Sequence, residues 1–543
     1  MIILAAVAMA AAATASPAVK GAAVPQWQDC GDGLQCAKLS VPVDWARPHG
    51  ARTEIDLARM PAQDPQHSRG FLVVNTGAAS TVQAVRAQPE GVSELTRWFD
   101  VVLVEPRGLG DRGSAAAVQC AVAQPDPLRL VLAQGRAGWR SYARDNAAYD
   151  RSCRAAAGPA YDGLTSWQVA HDLDALRAEL GEPRLRYFGS SYGAVYGQAY
   201  MELFPHRVGR MYLEGGPDHT EPDLAQRLIT QARAAERQLF SFRDWCRRHL
   251  GCPLAAADAV KVYDALTRRT PLHAGPGRTV NARHLAAAVH AGLAPGRWPE
   301  LARAMSEARE GDATRLAAMA SKAGEDDAIT TLAAMASEAG EDDATTRLAA
   351  MASEAREGDA AKPAAATRPA AATEAPALSA SVAVSASVAV SASGPPASVS
   401  GAMLCHDFMP AVPAYRRFLA METRLREVAP RVGWVSGRYE VARCLGMPRK
   451  GAPSWPPHVP APRHGPTVLV GIGRLDTGAR PAGSIPGAVV LSHGDGRDAY
   501  LLQGVNRLRA ACLRTHVHDY LVNGTLPQEG TGCPGELTAS MYR

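Results

Sequence analysis

Residues 184–204 read RLRYFGSSYGAVYGQAYMELF. Leu185, Tyr187 and Phe188 form a short run of apolar and β-forming residues that breaks at Gly189-Ser190-Ser191-Tyr192-Gly193. A helical pattern of Val195, Ala199, Tyr200 and Leu203 begins at once and stops before Pro205. Strand, Gly-x-Ser-x-Gly turn and helix form the context in which this pentapeptide carries chemistry. The two glycines let the backbone approach closely, so the central residue can occupy a strained conformation. Ser191 is then pushed out at the carboxyl end of a strand as a nucleophile. The N–H of Tyr192, at the helix N-terminus, would face an oxyanion formed beside it. A Gly/Ser turn without strand and helix on these sides would be an ordinary loop.

The segment upstream extends the pattern. Residues 165–181, TSWQVAHDLDALRAELG, carry Trp167, Leu173, Leu176 and Leu180 at helical spacing, with Gly181 as a C-cap. Helix, strand, turn and helix in succession imply a mostly parallel α/β sheet. Two earlier runs, Phe71-Leu72-Val73-Val74 and Val101-Val102-Leu103-Val104, are continuous and apolar, as strands covered on both faces are.

Composition restricts the function. The chain has 543 residues, ample for a large core, and its net charge of +5 is small for that length and carried by scattered Arg, which argues against a nucleic-acid partner. After the N-terminus no run of 18 or more apolar residues occurs, so no stable membrane association is expected. Residues 1–15, MIILAAVAMAAAATA, read as the apolar region and cleavage site of a signal peptide that lacks the usual basic start. The alternative is a buried N-terminal helix. Ten cysteines fall into neighbouring pairs, Cys30/Cys36, Cys120/Cys153, Cys246/Cys252, Cys405/Cys444 and Cys512/Cys533. Without C-x-x-C or a His at zinc-ligand spacing, they read as five local disulfides in an oxidising compartment rather than a metal site. No cofactor or metal is expected.

LAAMAS recurs at Leu316, Leu332 and Leu348 with acidic joints, and an Ala/Pro/Thr/Ser tract follows from Lys362 to Ser400. The apolar stripe of each unit is mostly Ala, too thin for a strong core. Residues 314–402 therefore read as an expanded, largely flexible insertion; the alternative is a binding array.

Four stretches together resemble a known family: FDVVLVEPRGLG (Phe99–Gly110), GSSYG, LFPHRVGRMYLEGG (Leu203–Gly216) and VHDYLVNGTLPQEGTGCP (Val517–Pro534). The chain is similar to the secreted α/β-hydrolase-fold serine aminopeptidases of the tripeptidyl and prolyl aminopeptidase type, over most of residues 25–300 and 403–543. The resemblance implies an α/β-hydrolase fold: a core from 16–216, a helical cap over 217–460 that contains the 314–402 insertion, and a sheet completed by 461–543. It also implies short peptide substrates and cap carboxylates for their ammonium group, for which Glu221 and Asp223 are the nearest choices.

A serine nucleophile needs a base and a group that orients the base, and in this fold the chain order is Ser, acid, His. Val468–Gly473 reads as a late strand with Asp476 just beyond, where similar proteins carry Leu-Asp-Pro-like residues, so Asp476 is the candidate acid. Ala488–Leu491 reads as the last strand, followed by SHGDGRDAY; His493 is the only His between Asp476 and the C-terminal helix and is the candidate base. Two departures accompany the resemblance. Similar proteins read D-G-x-G-H-G after that strand, and a gapless match sets His493 on the Asp and Arg497 on the His; an Arg cannot act as general base near neutral pH. Where the family has a Gly-Gly-Pro-Gly-type loop after an early strand, this chain has Asn75-Thr76-Gly77-Ala78, leaving Gly77 and Ala78 as the candidate second oxyanion donors. The sequence thus points to a secreted serine exopeptidase with Ser191, His493 and Asp476. The alternatives are an esterase using the same triad and a catalytically impaired, cap-bearing binding protein.

Overall fold

The computed structural model of the protein describes residues 25–77, 80–110, 114, 116–216, 223–322, 399–408, 412–447, 467–476, 485, 487–496, 498–505 and 511–536. The expected signal peptide lies outside them, as do Ala78, Glu221 and Arg497.

Strands β1 (Gln35–Pro42), β2 (Arg52–Met60), β3 (Phe71–Asn75), β4 (Asp100–Val104), β5 (Leu185–Ser190), β6 (Val208–Glu214), β7 (Leu469–Gly473) and β8 (Val489–His493) form one sheet. Their order is β1-β2-β4-β3-β5-β6-β7-β8, with two-residue strands at either edge. Pairing is antiparallel from β1 through β2 to β4 and parallel from there to β8. The parallel strands are apolar because both faces are covered: Val101, Val102 and Leu103 are fully buried, as are Tyr187 and Phe188.

Helices α1 (Thr81–Ala87), α2 (Leu128–Leu132), α3 (Gly135–Ala157), α4 (Ser166–Glu179) and α5 (Tyr192–Leu203) lie before the cap. Thr165 caps α4 by accepting from the Gln168 N–H, as its position ahead of the apolar pattern requires. Arg107, in the EPRG stretch, ties α4 to the sheet: its guanidinium donates to both oxygens of Asp172 at 2.8 and 2.5 Å, both buried, and to the Val43 carbonyl at 2.7 Å.

The segment expected to form the cap, between β6 and β7, holds α6 (Leu224–Arg248), α7 (Ala259–Arg269), α8 (Ala282–Gly292), α9 (Trp298–Glu310), α10 (Thr314–Lys322), α11 (Ser400–Phe408), whose Ala402 and Met403 pack with the sheet, α12 (Tyr415–Val428) and α13 (Gly433–Cys444). Its core holds Leu228, Phe242, Leu266, Leu301 and Val435, and it also takes in Leu128 and Val131 of α2. Thus α2, although it precedes the cap in the chain, packs with it.

The boundaries expected for the insertion need correction. The first LAAMAS unit is α10, and its Leu316 and Met319 are fully buried in the cap core. At the far end Val399 and Ala402 are also fully buried. Three apolar side chains per unit are enough when a neighbouring helix, here α8, supplies the complementary face. The other two units lie outside the described residues.

All five expected cysteine pairs are disulfides, and no free cysteine remains. Beyond β8, α14 (Ala499–Val505) and α15 (Cys512–His518) close the sheet's other face. Among the described residues no helix is long and apolar enough to cross a membrane.

Candidate active site

The turn between β5 and α5 is held by its neighbours. Ser191 has φ 51° and ψ −121°, a conformation that a non-glycine residue adopts only when its surroundings impose it. A Cβ on Gly189 would sit 2.5 Å from the Gly193 carbonyl oxygen, and one on Gly193 would strike the Asn75 carbonyl, so both glycines are required by space. The Ser191 N–H donates to the Glu214 carbonyl at the end of β6, 2.9 Å away. Ser190 is fully buried and its Oγ donates to Asp498 at 2.5 Å, whereas Ser191 is partly exposed. Of the two serines, only Ser191 is free to meet a substrate.

Tyr192 opens α5, where the first N–H groups have no partner within the helix. Its hydroxyl donates to Asp407 of α11 at 2.6 Å. Asp407 also accepts from the Ser166 N–H at 3.0 Å and from the Ser166 hydroxyl, so one cap carboxylate fastens both the elbow and the start of α4. The loop after β3 lies directly against the elbow: a Cβ on Gly77, at φ 74°, would come within 2.5 Å of the Tyr192 nitrogen. Glu105, at the end of β4, holds the far end of this loop by accepting from Ser80 Oγ (2.6 Å) and the N–H groups of Thr81 and Val82 (2.9 Å each). Burial nevertheless raises its carboxyl to about 7. One expectation changes here. The Gly77 N–H donates to the Asn75 side-chain oxygen at 2.9 Å, so it is committed within its own loop rather than presented as an oxyanion donor.

Asp476 follows β7 through a turn closed by its N–H on the Gly473 carbonyl, and it is buried. His493 is the last residue of β8, opposite Gly473, and has no exposed surface. Its Nε2 stands 3.4 Å from Glu214 Oε1, and neither ring nitrogen has a hydrogen-bond partner among the described residues. The expected contacts from His493 to Ser191 and Asp476 are therefore not made. The physical reason is the strand itself: its ladder fixes the His493 backbone between Gly473 and Cys533, leaving the side chain buried beside Glu214. Burial, with Arg474 nearby, lowers its imidazole to about 4, so it is neutral at pH 7.

Three carboxylates around the site, Glu214, Asp498 and Asp407, carry no motif that singles them out in the sequence as site residues. Glu214 accepts from the Tyr500 N–H at 3.3 Å, and its carboxyl is raised well above the ordinary value by burial and by the charges of Asp498 and Asp476. A charged residue closing the apolar run MYL was the available signal for Glu214; Asp498 and Asp407 lie in segments with no periodicity. Asp223, the amine-binding guess, accepts from the N–H groups of Ala225 and Gln226 as the N-cap of α6. The one His/Cys group of metal-ligand spacing among the described residues, Cys512, His516 and Cys533, contains a disulfide and so offers no thiolate.

The strained serine turn after β5, the candidate acid after β7 and the strand order together settle the architecture. The chain has the α/β-hydrolase fold. The family model of that description matches residues 121–282. The chain is similar to "Serine protease Hip1" of Mycobacterium tuberculosis, at 32% identity over 318 residues, covering 53% of this chain and 58% of that protein. It is similar also to "Tripeptidyl aminopeptidase" of Streptomyces coelicolor, at 30% identity over 237 residues, covering 40% and 43%. A third relative, "Carboxylesterase B" of Mycobacterium tuberculosis, is 27% identical over 286 residues, covering 49% and 53%. The chain spans between about two fifths and three fifths of the length of these relatives.

Proposed function

We propose that this α/β hydrolase is a secreted serine peptidase that releases single residues or short peptides from the N-termini of peptide substrates. The observation that carries the reading is the strained, partly exposed Ser191 at the β5–α5 turn. Similarity to a serine protease and a tripeptidyl aminopeptidase supports the peptidase class, the helical cap supports a preference for short chains, and five disulfides support an oxidising compartment.

In this reading Ser191 Oγ attacks the carbonyl carbon and its proton passes to a neutral imidazole. The oxyanion is stabilised by the Tyr192 N–H with help from the Ala78 backbone. The leaving amine takes the proton, and water then hydrolyses the acyl-enzyme. His493 is the assigned base and Asp476 orients it, which requires the His493 ring to turn from Glu214 towards Ser191.

The His493–Glu214 contact favours a second reading, a hydrolase-fold binding protein with an impaired triad. Its distinguishing residue is Arg497, where similar proteins carry the catalytic His. An esterase using the same triad would differ in the shape of the cap.

Labelling with a fluorophosphonate, followed by assays on peptide amides with a free N-terminus, separates these. The peptidase reading expects label on Ser191, loss of label in Ser191→Ala, loss of turnover in His493→Ala and retention in Arg497→Ala. Absence of label and turnover in the wild type supports the binding reading, and turnover confined to simple esters supports the esterase.

A further inference from the structure

The cap contains a cavity of about 520 Å³ whose lining includes Pro271, Asn281, Arg283, Tyr415, Leu419 and Arg438. None of these belongs to the group around Ser191. Its lining carries two guanidinium groups, Arg283 and Arg438, and no carboxylate. Glu422, buried and outside the lining, is the carboxylate on which three guanidinium groups converge. Its Oε2 accepts from Arg438 at 2.6 and 3.0 Å, its Oε1 accepts from Arg426 at 2.8 Å, and Arg283 Nη1 stands 3.9 Å from Oε1.

Arg438 and Arg426 are occupied. Arg438 uses its other terminal nitrogen on the Leu130 and Ala133 carbonyls, and Arg426 lies 3.6 Å over the Trp434 ring. Arg283 is held less closely: its guanidinium lies 5.5 Å from the centre of the same Trp434 ring. Its one hydrogen bond runs from Nη1 to the Val131 carbonyl at 3.2 Å, and its remaining N–H donors have no partner among the described residues. Its side chain keeps 26% of its surface exposed, and the residue lines the cavity. Burial and the neighbouring Arg438 charge both press against its protonated form, a cost that a bound anion would relieve.

The rest of the lining is apolar or neutral. Leu419 is among the few large hydrophobic side chains left exposed in the described residues, and it shares the cavity with Pro271 and the Tyr415 ring. A fork of unpaired donors beside an apolar wall, in a cavity of ligand size, is the arrangement that fixes a carboxylate by its oxygens and its body by contact.

We propose that this cavity is a binding site, separate from Ser191, for a small organic carboxylate of amino-acid to short-peptide size, with the carboxylate on Arg283 and an apolar side chain against Leu419 and Tyr415.

The test uses the full chain and three probes in titration calorimetry: N-acetylleucine, N-acetylleucinamide and inorganic phosphate. The acid should bind at least tenfold more tightly than the amide and than phosphate. Arg283→Gln should weaken the acid at least tenfold. Leu419→Glu, an exposed position where folding is not at risk, should do the same by setting a carboxylate at the mouth. Fluorophosphonate labelling of Ser191 should proceed in both variants as in the wild type, which keeps this outcome independent of the peptidase reading. Equal affinity for acid and amide, or wild-type affinity in both variants, overturns the site. Phosphate binding as tightly as N-acetylleucine overturns the assignment to an organic carboxylate.

Discussion

Replacing His493 by Gln should change how stability responds to acid, and the size of the change follows from the site. The imidazole titrates near 6.5 in an unfolded chain and at about 4 in the folded protein. That interval is worth about 3 kcal/mol. Because the folded value is depressed, the unfolded chain binds the extra proton first. The stability is complete above pH 6.5 and is lost as pH falls towards 4. Between pH 7 and pH 5 the loss from this one residue is about 2 kcal/mol. Other buried groups titrate in the same range, so the absolute curve does not isolate it. His171, His290 and His518 are each lowered to about 4 and push the same way. Glu105, raised to about 7, pushes the other way, since its contribution is lost as pH rises through that value. The difference between wild type and His493→Gln cancels these. Urea unfolding at pH 7, 6 and 5 and fixed ionic strength should show the stability gap shifting by about 2 kcal/mol in favour of the variant as pH falls. A gap constant to within about 0.5 kcal/mol across that range would refute the sealed, neutral imidazole and return His493 to a solvent-reachable position.

Other outcomes test the supports of the site. Asp172→Ala should cost about 3–5 kcal/mol in chemical denaturation, because Arg107 would be left buried without its carboxylate; a loss below about 1 kcal/mol would contradict that geometry. Asp407→Ala should slow fluorophosphonate labelling of Ser191 roughly tenfold, about 1.4 kcal/mol in the barrier, by releasing Tyr192. Asp407→Asn, which keeps an acceptor, should restore most of the rate, and equal rates in both variants would show a merely structural role. Deleting residues 324–397 should leave the melting temperature nearly unchanged, whereas deleting 314–402 should lower it sharply or abolish folding, since Leu316, Met319 and Val399 go with it.

What the sequence revealed was what short-range pattern determines. Gly189-Ser190-Ser191-Tyr192-Gly193 announces its turn because the glycines are demanded by contacts within four residues and by one neighbouring strand. The runs at 71–74 and 101–104 announce strands because both faces are buried, and the disulfides follow from cysteines adjacent along the chain. The failures share another cause. His493 is a residue after an apolar run in sequence, but in space its surroundings are set by Glu214 in β6 and Gly473 in β7, which no local period reports. Likewise the Leu316 unit looks as thin as its two copies; only the presence of α8 beside it makes a core. Gly77 was read as a donor from its loop, while its partner, the Asn75 side chain, competes for the same N–H two residues away.

The anchoring of α10 and α11 has an evolutionary consequence. Both ends of the repeat-bearing connection, Lys322 and Val399, leave from helices already fixed, one in the cap core and the other by the Cys405–Cys444 bridge and Asp407. A slipped replication event that added or removed one sixteen-residue copy would leave the buried anchors Leu316, Met319 and Val399 in the chain. The penalty for closing a longer connection grows only with the logarithm of its length, about 0.2 kcal/mol for one added copy. By this closure cost alone, copy number at this junction weighs little on folding. Related chains should differ there in length by multiples of the repeat while the Ser191 turn, the Tyr192–Asp407 contact and the Cys405–Cys444 bridge stay in register.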